Sequence, residues 1–128
     1  MTSQKLLSLL VLLATLAAFV SAQELESIPK NLIIGYREPG DYLIQKEEIK
    51  KPARFLSRHI YEKTYVGDNH SIITQVRIVD MSTNGHGATA KVITGGVGRS
   101  FISISLKGLY NFGINNVVEI YGKKPIKN

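Results

Sequence analysis

The sequence predicts a single all-β domain, an antiparallel sandwich or barrel-like fold of about six to eight strands, preceded by a signal peptide. Three observations carry this. From Ile60 onward, short runs alternate apolar and polar residues and are separated by glycine and asparagine clusters, the period-2 pattern of half-buried strands bounded by turns. After Ile60 no stretch of about ten residues has the spacing of an amphipathic helix. The chain is 128 residues long, enough for one core and too short for two.

The elements follow in order. Lys5 precedes the apolar run Leu6 to Val20, interrupted by Ser8 and Thr15, and small residues lead to a cleavage site between Ala22 and Gln23. That layout is a secretory signal, and the run is shorter than the roughly 20 apolar residues of a membrane span. The expectation is a secreted, extracellular chain of residues 23–128 with no membrane span. Gln23 to Lys30 is a polar lead-in, and Leu32 to Tyr36 reads as the first strand. Arg37-Glu38-Pro39-Gly40-Asp41 ends it, with Pro39 fixing φ and Gly40 accepting the positive φ of a type II turn. Tyr42 to Gln45 is extended. Over Lys46 to His59, Glu47 and Lys51 have the spacing of a helical ion pair, but Pro52 forbids a long helix.

Tyr61, Lys63 and Tyr65 then oppose Ile60, Glu62 and Thr64 on one strand. Ile72, Thr74, Val76 and Ile78 oppose Ile73, Gln75, Arg77 and Val79, and Ile102, Ile104 and Leu106 oppose Phe101, Ser103, Ser105 and Lys107. Val117 to Tyr121 closes the series.

Glycines between these runs raise a separate question. Gly85, Gly87 and Ala90 satisfy the G-x-G-x-x-A spacing of a dinucleotide loop. Such a loop holds an anion only where a helix begins at its end, and the segment that follows, Ala88 to Thr94, is β-branched and alternating. Asn84-Gly85 reads instead as a hairpin turn joining Ile72–Asp80 to Ala88–Thr94. Gly95, Gly96 and Gly98 form a second turn before Phe101.

The same residues resemble a known family. Gly35-Tyr36-Arg37-Glu38-Pro39-Gly40-Asp41 is similar to its G-x-R-x-P-G-D signature, and Asp80, Thr83-Asn84-Gly85 and Gly87 to its D-x-x-T-N-G-x-G element. Gly95-Gly96-Val97-Gly98 is similar to its G-G-x-G turn, and Gly113-Ile114-Asn115 with Val118 to Gly122 to its closing block. This is the insect multiprotein bridging factor two family, whose members are often named as salivary secreted peptides. The resemblance runs over residues 35–122. It implies a coactivator that bridges a DNA-binding regulator and the general transcription machinery without binding DNA itself, although most members carry signal peptides. It supplies no catalytic residues.

Chemistry-bearing residues are sparse. The chain has no cysteine, so neither a disulfide nor a thiolate ligand is available. His59, His70 and His86 lack the spacing of a metal pair, and Glu47 and Glu48 point to opposite faces of a strand. The expectation is no catalytic, cofactor or metal site and no enzymatic activity. The net charge of +6 favours anionic surfaces. Lys46, Lys50, Lys51, Arg54 and Arg58 form the densest basic cluster, with Tyr61 and Tyr65 beyond it, a candidate polyanion site that also reads as a solvated loop. The tail Lys123, Lys124 and Lys127 has the composition of an import signal, which a secretory signal overrides. Asn69-His70-Ser71 is an N-glycosylation sequon. The expected partner is an unidentified protein or polyanion, with no sequence-specific nucleic acid binding.

Overall fold

The computed structural model describes residues 30–126. The signal segment and the Ala22–Gln23 cleavage site lie outside the described residues. Among the described residues seven strands follow one another: β1 (Leu32–Gly35), β2 (Tyr42–Lys51), β3 (Ile60–Val66), β4 (Ile72–Asp80), β5 (Thr89–Gly95), β6 (Phe101–Lys107) and β7 (Ile114–Lys123), with a 3-10 turn, Asp68–His70, before β4. They form two antiparallel sheets, one of four strands in the order β1-β4-β7-β2 and one of three in the order β3-β6-β5.

The alternation of the sequence becomes the core. Ile102, Ile104 and Leu106 of β6 face Val76 and Ile78 of β4 and Ile114, Val118 and Ile120 of β7, and each is essentially without solvent contact. Burying one such aliphatic side chain contributes about 1.5–3 kcal/mol, and with no cysteine in the chain this packing carries the fold.

Three readings of the sequence are corrected. Asn84-Gly85 does not make a hairpin between β4 and β5. β4 pairs with β1 and β7, whereas β5 pairs with β6, so residues 81–88 cross from one sheet to the other. Gly85 does have positive φ (+75°), and the Asn84 side chain caps the bend by accepting the His86 N–H at 2.9 Å. The local chemistry is that of a turn, but its span is longer than two residues. Second, β2 runs unbroken to Lys51, which removes the helical pairing of Glu47 with Lys51. Third, the alternation in β4 is interrupted by a register shift between Ile73 and Gln75. An extra residue at Thr74 brings Ile73 to the inner face with Val76 and Ile78.

Antiparallel pairing sorts the connections to two poles. Loops 52–59, 81–88 and 108–113 gather at one pole, and loops 36–41, 67–71 and 96–100 at the other.

Candidate functional site

The sequence signatures are best read from the backbone outward. At the second pole, loop 36–41 arches across the ends of β4 and β7 to join the two outer strands of the larger sheet. The Asp41 N–H donates to the Glu38 carbonyl at 3.1 Å, with Gly40 at φ +83° inside that turn. Asp41 is its anchor. One carboxylate oxygen accepts Arg37 Nε at 2.8 Å, and the other accepts the Glu38 N–H at 2.7 Å and Thr74 Oγ1 at 2.9 Å. These donors, led by the Glu38 N–H, hold the Asp41 carboxyl below its ordinary pKa. The Arg37 guanidinium lies 3.9 Å over the Tyr121 ring, and Lys123 pairs with Glu38 at 3.1 Å. Gly35 is set so close to β4 that an added Cβ would fall onto the Thr74 carbonyl, and its φ is +79°. The G-x-R-x-P-G-D residues thus bind one another and the sheet. Gly95, Gly96 and Gly98, all at positive φ, turn β5 into β6 at this same pole.

Asp80 does the equivalent work at the first pole. Its buried carboxylate accepts the Ser82 N–H at 3.0 Å, Ser82 Oγ at 2.7 Å and the Lys30 N–H at 3.2 Å. A Cβ on Gly87 would collide with that carboxylate. Beside this anchor the loops border an open cleft of about 260 Å³. Ser82, Thr83, Asn84 and His86 line it from loop 81–88, Lys51 and Ala53 from the end of β2 and its loop, and Gly113, Ile114 and Asn115 from the start of β7. The His86 ring stacks on Phe112 at 4.1 Å, which ties two of the loops together. Thr83 is exposed and makes no side-chain hydrogen bond among the described residues. The cleft offers hydroxyl, amide, imidazole and ammonium groups and no carboxylate, an arrangement suited to hydrogen-bonding a polar or anionic group.

The basic cluster does not assemble as one patch. Lys46 and Lys50 project from the outer face of β2, flanking Glu48, which lies 4.0 Å from Lys50. Lys51 reaches the cleft, Arg54 is exposed on loop 52–59, and Arg58 lies 4.5 Å over the Tyr110 ring. β3 turns Tyr61 and Tyr65 toward the core, Tyr61 half-buried and Tyr65 2% exposed. They close the seam between the sheets. Glu47 of β2 accepts hydrogen bonds from Tyr61 at 2.9 Å and from Lys63. Burial pushes the Glu47 carboxyl up, and the bonds from Lys63 and Tyr61 outweigh it, so its pKa lies below the ordinary value. The same ion pair raises Lys63, while burial and then the Glu47 charge raise Tyr65.

The histidines are divided between the poles. His59 Nε2 lies 2.7 Å from the Pro52 carbonyl oxygen, His86 stacks at the cleft, and His70 sits at the second pole beside the sequon residue Asn69, in the 3-10 turn. Among the described residues no group of three His, Asp or Glu side chains could hold a metal ion. The sequence reading missed Ser82, His86, Phe112 and Asn115 as neighbours. They come from segments up to 34 residues apart, and only the shared D-x-x-T-N-G and G-I-N blocks hint at the meeting.

Comparison with known proteins follows the same blocks. Residues 34–122 match the family described as "Transcription activator MBF2". A protein of Bombus ignitus named "Probable salivary secreted peptide" is 37% identical over 93 residues, covering 73% of this chain and 69% of that protein. No solved structure matches. With the arch at Asp41, the anchor at Asp80 and the β7 block all inside the matched region, the chain belongs to the family described as Transcription activator MBF2.

Proposed function

We propose that this protein is a small secreted, non-enzymatic binding protein of extracellular fluid, of the saliva or haemolymph type, whose ligand enters the cleft of the three-loop pole. The observation that carries the site is the contrast within the signature blocks. Arg37, Asp41, Asp80 and Gly87 hold the loops, and Asn115 bonds the Met81 carbonyl, whereas the Thr83 hydroxyl, without a side-chain hydrogen bond among the described residues, faces a cleft of about 260 Å³. Secretion is supported by the signal-like N-terminal segment and by the name of the Bombus ignitus relative. The family description favours a second reading, an intracellular coactivator.

The cleft reading is tested by capture from the secreted fluid. Thr83→Arg fills the cleft without removing a hydrogen bond, and Tyr36→Arg changes an exposed residue of the opposite pole. A specific partner held by the wild type should be retained by Tyr36→Arg and lost by Thr83→Arg. Equal capture by all three forms would place the binding surface elsewhere. Asn69 is proposed to carry a glycan, in which case Asn69→Gln lowers the mass of the secreted protein by that of a glycan, and unchanged mass after glycosidase treatment rules it out.

A further inference from the structure

The three-loop pole carries a projecting apolar tip that the cleft does not use. Phe55 and Leu56 are consecutive residues of loop 52–59, 85% and 70% exposed, and neither lines the cleft. Their presentation is built into the backbone. Leu56 has φ +54° and Asn111 φ +69°, a region that L side chains disfavour. The pair is held by mutual bonds: Asn111 Oδ1 accepts the Leu56 N–H at 2.6 Å, and the Asn111 N–H donates to the Ser57 carbonyl at 2.9 Å. This lock joins loops 52–59 and 108–113, and the apolar side chains at the joint stand out in water. Tyr110 and Ile60, at the same pole, are 56% and 61% exposed.

The surroundings of the tip are cationic. Arg54 is exposed beside Phe55, Arg58 lies over the Tyr110 ring, and Lys107 is exposed at the end of β6, while Lys50 sits beside Glu48 on β2 and Lys51 lines the cleft. Loops 52–59, 81–88 and 108–113 contain no aspartate or glutamate. Loops 36–41 and 67–71 of the opposite pole, by contrast, hold Glu38, Asp41 and Asp68, and the Asn69 sequon lies there too. Exposed apolar side chains and cations occur at the opposite pole too, among them Tyr36, Val97, Arg99 and Lys124, but there they are mixed with these carboxylates, whereas the loop that carries Phe55 and Leu56 holds cations alone.

We propose that this tip docks on the surface of an anionic phospholipid bilayer. Phe55 and Leu56 enter the boundary between headgroups and acyl chains, while Arg54 and Lys107 meet the lipid phosphates. A soluble polyanion engages the cations but leaves Phe55 and Leu56 in water. A bilayer satisfies both groups at once, because its apolar layer lies directly beneath its charged one, and a projecting tip needs no complementary groove. The proposal goes beyond the cleft reading and does not depend on what the cleft holds.

The test uses the secreted protein with vesicles of phosphatidylcholine alone or mixed with phosphatidylglycerol, and with soluble heparin as a separate arm. The wild type should sediment with the mixed vesicles, not with phosphatidylcholine alone, and binding should fall as salt is raised. The double variant Phe55→Ser, Leu56→Asn should bind the mixed vesicles about tenfold or more weakly, and Arg54→Glu about tenfold. Asn is chosen at position 56 because it tolerates positive φ, and an unchanged melting temperature shows that the variants fold. Absence of vesicle binding by the wild type overturns the proposal, as does equal binding to the neutral vesicles. Heparin and vesicle binding that both survive the double substitution assign the cations to a soluble polyanion and overturn it as well.

Discussion

At the scale of single residues, the positions that mark this family do most of their work on the backbone. Gly35 packs its Cα against the Thr74 carbonyl at φ +79°, and Gly87 packs against the Asp80 carboxylate. Neither has room for a methyl group, so Gly35→Ala should be the more damaging, since the obstructing atom is backbone and the φ is also disfavoured. Gly85→Val should cost about 1–2 kcal/mol or more, because φ +75° disfavours L side chains, and chemical denaturation reads that loss directly. If added nucleotide raised the wild-type melting temperature and Gly85→Val lost only that increment, the glycine would belong to a phosphate loop instead. Asp41 sets a pH dependence. Its folded carboxyl binds a proton less tightly than the unfolded one, so the stability it contributes is complete above the ordinary 3.8 and is lost as pH falls through its lower folded value. Asp41→Asn should therefore lower the melting temperature at neutral pH and flatten its decline in acid. A variant that declines as steeply as the wild type would contradict this.

At the scale of elements, the strands are legible in the sequence and their partners are not. Ile102, Ile104 and Leu106 alternate with polar residues, and the burial of β6 follows that alternation. The sheet to which each strand belongs depends on pairing over long separations. Asn84-Gly85 carries the local signal of a two-residue hairpin, yet β4 finds β7 and β5 finds β6. The period-2 pattern also cannot report an inserted residue, which is why Thr74 escapes it. The Glu47 pairing is invisible for the same reason: Lys63 is 16 residues away on the other sheet. Its energetic weight is modest, since the Lys63 side chain is 38% exposed. A double-mutant cycle with Glu47→Gln and Lys63→Met should give a small favourable coupling, and a coupling near zero would show that the seam is closed by Tyr61 and Tyr65 alone.

At the scale of the whole molecule, one apolar core supports two poles of different character. Ile104 has no solvent exposure, and Ile104→Ala should lower the unfolding free energy by about 2–5 kcal/mol, with no disulfide to offset it. The sandwich class is readable from spacing and composition, but the cleft is not, because Lys51, Thr83 and Asn115 are brought together only by the crossing of loops between sheets. The family description and the relative's name point to different compartments, and delivery decides between them. The most direct measurement is the intact mass of the protein made with its natural N-terminus in a secreting insect cell, taken from medium and nucleus in parallel. Secretion predicts a species in the medium that begins at Gln23, with the mass of residues 1–22 gone. A nuclear species that retains Met1, with none in the medium, would contradict the account.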